Sequence, residues 1–403
     1  MARPRRRAAP VTSTVRGREG GVEGIGATIR RVKQTNTAAT ERPSLPSPLH
    51  ALIARAIHDA GGWMGFDRFM QLALYAPGLG YYALETPKFG AMPDSGSDFV
   101  TAPELSPVFG ELLARQVAQA LQATGTHEIW EFGAGSGALA AQLLGALGGQ
   151  VHRYTIVDVS GSLRARQRER LAPWGERVAW ADRLPSAIEG VVVGNEVLDA
   201  MPVQLLQRSA GVWHERGVAL AEDGAFAWAD RPTDLRPPVE VEGEHDYLTE
   251  IHPQAEGFVR TLAAHLVRGA AFLIDYGFPE GEYYHPQRHM GTLVCHRAHR
   301  VDSDPLADVG HKDITAHVNF TGAALAAQDA GLQVLGYTTQ GHFLINCGLL
   351  QKLELLPQAG RAQAAKLIME HEMGELFKVL ALGTADAHWQ PLGFVQGDRT
   401  HRL

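Results

Sequence analysis

Three glycines and two acids form the first candidate site. In Ile129–Ala140, IWEFGAGSGALA, an apolar run ends in Glu131 and then breaks at Gly133, Gly135 and Gly137. Glycines reach tight-turn dihedrals without steric cost, and they let a ligand lie against the main chain beside the free N–H groups of a helix starting at Ala138. Such a turn holds a nucleotide-like ligand. Gly133, Gly135 and Ala138 also satisfy the dinucleotide pattern G-x-G-x-x-G/A, so the glycines alone do not separate nicotinamide or flavin enzymes from other nucleoside binders. Glu131 tilts the choice. A carboxylate two residues before the first glycine suits an aminoacyl ammonium and repels a pyrophosphate, which favours S-adenosylmethionine over NAD. Asp158 ends a second apolar run, YTIVDVS, 21 positions after Gly137. A carboxylate there accepts both hydroxyls of a ribose. The plainer alternatives are a structural glycine turn, and an N-cap role for Asp158 before LRARQRERL, although Ser160 or Ser162 serves that role equally.

A second polar set lies in GVVVGNEVLDAMPVQLL. Val191 to Val193 reads as a buried strand, and Asn195, Glu196 and Asp199 cluster where it ends. Doubly wound sheets bind ligands at that edge. Glu196 and Asp199 suit a cationic nitrogen nucleophile, with Asn195 donating to it or accepting from it. The alternative is that Asp199 caps a helix and Glu196 is solvated. Asp182, at the end of a third short strand in RVAWADRLP, is counted with the cofactor residues.

These residues need a sheet to carry them. Strand, glycine turn, helix ALAAQLLGAL, strand and acid occur in the order of one βαβ unit, which predicts a doubly wound, nucleoside-binding α/β domain. Before it, helical spacing begins at Pro48, with Leu49, Leu52, Ile53, Ala56 and Ile57 on one side, and recurs in FDRFMQLALYAP. A loop dense in Gly, Pro and Ser follows over residues 78 to 104 and reads as a lid or a plain linker. A helix is expected over 105 to 124. After the third and fourth strands, GVWHERGVAL and AFAWAD predict a β-hairpin insertion with its turn at Glu222-Asp223-Gly224. The alternation resumes in AEGFVRTLAAHL and GAAFLIDYG, where Asp275 and Tyr276 again sit at a strand end. A long histidine-bearing loop from Phe278 to Thr315, a helix TGAALAAQDAG, strand LQVLGYTTQ, a helical stretch over 360 to 375 and strand LFKVLAL complete the chain.

The 403 residues suffice for one large domain with additions or for two domains, and 45% hydrophobic content is that of an ordinary soluble globular chain. The first 47 residues carry ten Lys/Arg against three Asp/Glu, so the rest carries −14 of the net −7 and gives no sign of nucleic-acid binding. That basic segment is expected to be a disordered tail, since its Gly and Pro spoil a transit-peptide helix and it lacks a secretory apolar core. No window approaches the ~18 apolar residues of a membrane span. Two cysteines, Cys295 and Cys347, exclude a disulfide framework and fit a reducing compartment. Cys295, His296 and His299 lack C-x-x-C or H-E-x-x-H spacing, so no metal is expected.

With these residues placed, the chain resembles the MidA-like family of S-adenosylmethionine-dependent methyltransferases, which includes a mitochondrial complex I assembly factor acting on an arginine. The resemblance covers nearly everything after Pro48 and rests on YAPGLGYY, SDFVTAPELSPVFGELLARQ, EFGAGSG, GNEVLDAMPVQ, IDYG, GTLVCHRAHRVDSDPLADVGHKDITAHVNF and GYTTQGHFLINCG. It implies a class I methyltransferase fold: a Rossmann-like, seven-stranded, mostly parallel sheet with an N-terminal helical and lid region and a β-hairpin insertion. The expected divisions are a tail over 1–47, helices and lid over 48–104, a first methyltransferase half over 105–205, the insertion over 206–250 and a second half over 251–403. By resemblance, Glu131, Gly133, Gly135, Gly137 and Asp158 meet S-adenosylmethionine, Asn195, Glu196 and Asp199 face the methyl acceptor, and Thr101 and Glu104 belong to the closing lid. Ser97-Asp98 departs from the family's Gly-Asp. The implied reaction is methylation of a protein arginine, in a complex I subunit or a bacterial equivalent. A non-catalytic assembly factor that binds the cofactor, or an NAD-binding oxidoreductase, is the alternative. Only six of 37 basic residues are Lys, a bias of GC-rich bacterial coding, which favours a bacterial cytoplasmic protein over a mitochondrial matrix one. The oligomeric state is left open.

Overall fold

The computed structural model describes residues 47–84, 100–158, 160–297 and 299–403. The expected basic tail, up to residue 46, and the centre of the expected lid, residues 85–99 with Ser97-Asp98, lie outside the described residues.

The central sheet has eight strands; a two-residue one, Val318–Asn319, pairs with the end of Leu266–Phe278, and the other seven are numbered here along the chain: β1 Glu128–Phe132, β2 Arg153–Val157, β3 Val178–Ala181, β4 Ile188–Asn195, β5 Leu266–Phe278, β6 Gln333–Thr339 and β7 Phe377–Gly383. Their spatial order is β6-β7-β5-β4-β1-β2-β3. All neighbours from β5 to β3 are parallel, while β7 runs antiparallel to both β5 and β6. This is the class I methyltransferase sheet.

Both faces are covered, which explains the unbroken apolar runs in β4 and β5. Val191 and Val193 pack on one side with helices Val108–Thr124 and Ala138–Leu147. Val192, between them, points to the other side, against helices Pro253–His265 and Phe320–Asp329. The sheet therefore holds its carboxyl ends rigidly in one line. The turn after β1 and the loop after β4 are neighbours there.

The additions differ from expectation in physically simple ways. Helix Val108–Thr124 starts later than residue 105, because Ser106 is extended before Pro107 and a separate turn, Ala102–Leu105, precedes it. The stretch 360–375 is a helix Gln358–Lys366 followed by a wide turn Glu370–Gly374, broken where Glu372 leaves helical dihedrals. The insertion is more than a hairpin: Gln204–Ser209, Val212–Leu220, Phe226–Pro232 and Tyr247–Ile251 form a sheet that also recruits Met64–Gly65. Helices Pro48–Asp59 and Phe66–Tyr75 share one hydrophobic cluster with this sheet, through Ile53, Phe69, Val203 and Val218. The histidine-bearing loop contains a small sheet of Val294–Arg297, Arg300–Asp302 and Asp313–Thr315, with Cys295 buried in the same cluster. Among the described residues no cluster of three His, Cys, Asp or Glu is placed to hold a metal ion, and no helix is long and apolar enough to cross a membrane.

Candidate active site

A cavity of about 290 Å³ opens at the carboxyl ends of β1, β2 and β4. Of the expected residues, Glu131, Gly133, Gly135, Asp158, Asn195, Glu196, Asp199, Thr101 and Glu104 all line it. Gly137 and Asp182 do not.

The glycine turn takes the dihedrals its sequence requires, with φ of +63° at Gly133, +51° at Gly135 and +80° at Gly137. A side chain on Gly133 would come within 3.1 Å of Val197, so this glycine also lets the β1 and β4 loops approach each other. Gly137 turns instead toward Gln167 and Leu171 behind the cavity.

Glu131 is 2% exposed, and Tyr154 donates to its Oε2 at 2.8 Å. One lone-pair face is thus fixed, and the other carboxylate oxygen stays available to a ligand. Burial pushes the Glu131 carboxyl up to about 8, with the Tyr154 hydrogen bond opposing. Asp158 accepts from the Ser160 amide at 2.8 Å and from Gln167 Nε2 at 2.7 Å. The same Gln167 nitrogen donates to the Gly135 carbonyl at 3.0 Å, while its oxygen accepts from Trp180 at 2.9 Å. Gln167 therefore joins the glycine turn to the acid of β2. Ser160, not Asp158, caps the following helix Gly161–Leu171. Asp182 is turned outward, with a side chain 80% exposed and paired to Arg164. β3 is the edge strand, so its end does not face the cavity.

Across the cavity, Asn195 Nδ2 donates to Glu196 Oε1 at 3.0 Å, and the Ala102 amide donates to the same carboxylate. Glu196 holds φ of +53°, a left-handed conformation costly for a side-chain-bearing residue, and its own amide is pinned to the Ile274 carbonyl at 2.8 Å. Strain of this kind concentrates at functional loops. Asp275 keeps the loop in place. Its Oδ2 accepts the amides of Val197, Leu198 and Asp199 at 3.1, 2.9 and 3.2 Å. Asp199 does not cap a helix; Tyr276 donates to its Oδ2 at 2.6 Å. Asp199 Oδ1 and Asn195 Oδ1 are buried with no hydrogen-bond donor. Burial, reinforced by Asp199, raises the Glu196 carboxyl to about 8, and burial raises Asp199 to about 6.

Three further cavity-lining side chains have no role assigned from the sequence. Tyr75 and Tyr82 stack with ring centroids 5.4 Å apart, and both line the cavity. Tyr82 donates to the Asp313 carboxylate at 2.9 and 3.0 Å, bringing a sixth acid to the wall. On the lid side, Glu104 accepts from Arg170 Nη1 at 3.0 Å and from Ser136 in the glycine turn. The described part of the lid is thereby tied across the cofactor end of the cavity.

The comparisons agree with this geometry. A family model described as an S-adenosyl-L-methionine-dependent methyltransferase matches residues 112–338. A protein from Burkholderia thailandensis, solved bound to S-adenosyl-homocysteine, is 50% identical, with a TM-score of 0.85 over 88% of this chain and 96% of that one. The mitochondrial protein arginine methyltransferase NDUFAF7 of Danio rerio is 28% identical over 80% of this chain and 84% of its own. The human protein of that name is 26% identical over 78% of each chain. The glycine turn, the half-satisfied carboxylates of Glu131 and Asp158 and the cavity between them fit S-adenosylmethionine as cofactor. The chain belongs to the MidA-like family of S-adenosyl-L-methionine-dependent methyltransferases.

Proposed function

We propose that the acceptor is a protein arginine, held by Asn195, Glu196 and Asp199. The observation that carries this reading is the pair of buried acceptor oxygens, Asn195 Oδ1 and Asp199 Oδ1, that lack a donor beside a third acceptor group. An unpaired buried acceptor is costly, and guanidinium offers five N–H donors and no acceptor. A hydroxyl brings one donor and a carboxylate none, so neither serves both oxygens. The raised Glu196 and Asp199 carboxyls point the same way, since a cation between them repays the cost of ionising both.

In this reading Glu131 takes the ammonium of the cofactor and Asp158 its ribose hydroxyls, with Gly133 and Gly135 leaving room for the ligand. Thr101 and Glu104 close over it. When bound, S-adenosylmethionine supplies a sulfonium methyl, and transfer forms a nitrogen–carbon bond as the carbon–sulfur bond breaks. The chain's own residues orient the guanidinium and accept the proton its nitrogen loses. A carboxyl raised to about 8 is matched to that task near neutral pH. Water exclusion and positioning carry the rest.

The curated relatives named above as protein arginine methyltransferases support a protein substrate, and the Lys-poor composition supports a bacterial cytoplasm, where a respiratory complex I subunit equivalent is the candidate target. Labelled cofactor and the purified enzyme, added to a lysate from a strain lacking it, test the reading by mass spectrometry. Label on arginine is expected. Label confined to carboxylates, hydroxyls or small molecules overturns it.

A further inference from the structure

A second depression, a groove of about 1410 Å³, shares Tyr75, Tyr82, Met201 and Phe258 with the cavity. The groove runs between helix Phe66–Tyr75 with the segment after it and the start of helix Pro253–His265. Its volume is several times that of the cavity it feeds. A small acceptor calls for enclosing walls that shut out water, whereas a broad open groove suits a polymer that inserts one side chain.

Two features specify the polymer. Among the described residues that line the groove, Asp67 is the one charged side chain, and Gln71, Gln204 and Gln254 present amides along it. An amide side chain donates and accepts together, as a peptide backbone does, and carries no preference for charged neighbours. Gly257 is the second feature. It stands in the interior of helix Pro253–His265, where glycine destabilises relative to alanine, yet a β-carbon there would meet nothing within 4 Å. Packing within the chain does not require this glycine. Its bare backbone leaves the groove wall open to an incoming chain.

We propose that this groove docks an extended, uncharged stretch of polypeptide flanking the target arginine, with the stacked Tyr75 and Tyr82 at the threshold where the arginine side chain turns into the cavity. The proposal rests on the arginine reading above for the identity of the inserted side chain, and on the groove alone for the polypeptide.

Gly257→Leu tests it, because leucine favours the helix and its β-carbon meets nothing within 4 Å. The variant is expected to melt at or above the wild-type temperature and to bind S-adenosylhomocysteine unchanged by calorimetry. Arginine labelling of lysate proteins with labelled cofactor should fall about tenfold or more, through KM. A photoreactive benzoylphenylalanine at position 254 should crosslink to peptides whose labelled arginine lies within roughly ten residues, the reach of an extended chain across such a groove. Equal labelling by wild type and Gly257→Leu, or crosslinks only to peptides far from a labelled arginine, overturns the groove while leaving arginine methylation standing. Crosslinks at 254 to a protein labelled on another group uphold the groove and overturn the arginine reading.

Discussion

Gln167 holds Asp158 in place: one amide nitrogen donates to the Asp158 carboxylate at 2.7 Å and to the Gly135 carbonyl at 3.0 Å. The acid at the end of β2 and the turn after β1 are thus coupled through a residue nine positions after Asp158 and 32 after Gly135. Gln167→Leu keeps the helix and much of the volume while removing both bonds. We expect affinity for S-adenosylhomocysteine to drop at least about tenfold, the equivalent of roughly one lost charge-assisted bond of 1.5–3 kcal/mol. Calorimetry measures it, and unchanged affinity would show that Asp158 is positioned without Gln167.

Tyr276 donates to Asp199, on the proposed acceptor side of the cavity. Tyr276→Phe removes a donor that lowers the Asp199 carboxyl, so that carboxyl rises further above about 6. Turnover at pH 7 should fall about tenfold or more and recover partly by pH 9, with cofactor affinity intact. A pH-independent loss would assign Tyr276 to packing alone. Glu196→Gln keeps shape and hydrogen bonding without charge; we expect a loss of roughly two orders of magnitude in kcat, again at constant cofactor affinity.

Stability without ligand should fall as pH rises. Glu131 and Glu196 move from 4.5 to about 8 on folding, so the folded state favours their protonated forms. Their contribution is full below pH ~4.5 and is lost as pH climbs through ~8. Thermal melts between pH 5 and 9 should show a decline of several degrees, on the order expected for a few kcal/mol in a chain of this size. Glu131→Gln should flatten part of it. A cofactor ammonium beside Glu131 should flatten it as well.

Arg170 ties Glu104 and Ser136 across the mouth of the cofactor end. Arg170 is two-fifths exposed, so the pair itself stabilises little, about 1 kcal/mol or less. Its consequence is kinetic. Arg170→Ala should raise the dissociation rate of S-adenosylhomocysteine by roughly two- to fivefold and speed hydrogen exchange at residues 100–105, as stopped-flow and exchange measurements would reveal. Identical exchange in both proteins would make the contact incidental.

Local pattern carried the cofactor half. A strand, three glycines, a helix and an acid follow one another within 30 residues, and the chain alone determines how they meet. Asn195, Glu196 and Asp199 were legible for the same reason, as a polar cluster ending a run of valines. Asp182 looked like Asp158 in sequence; the difference is that β3 has a neighbour on one side only, a property of sheet order and not of the strand. Asp313 and Tyr82 are 231 positions apart, and no periodicity announces that they touch. Gln167 sits in LRARQRERL among four arginines and one glutamate, a composition that reads as a solvated helix face. The insertion read as a hairpin because its turn is local, whereas its pairing with Met64–Gly65 closes across some 150 residues of chain.

The labour of the site is divided between sheet and additions. Glu131, Asp158, Asn195 and Glu196 hang from the central strands, whereas Tyr75, Tyr82, Gln71, Gln204 and Asp313 come from segments that cap it. The caps stand on a hydrophobic cluster of their own, apart from those that pack the two faces of the sheet. One polypeptide thus rests its site on two foundations, a sheet and a cap, each with its own core.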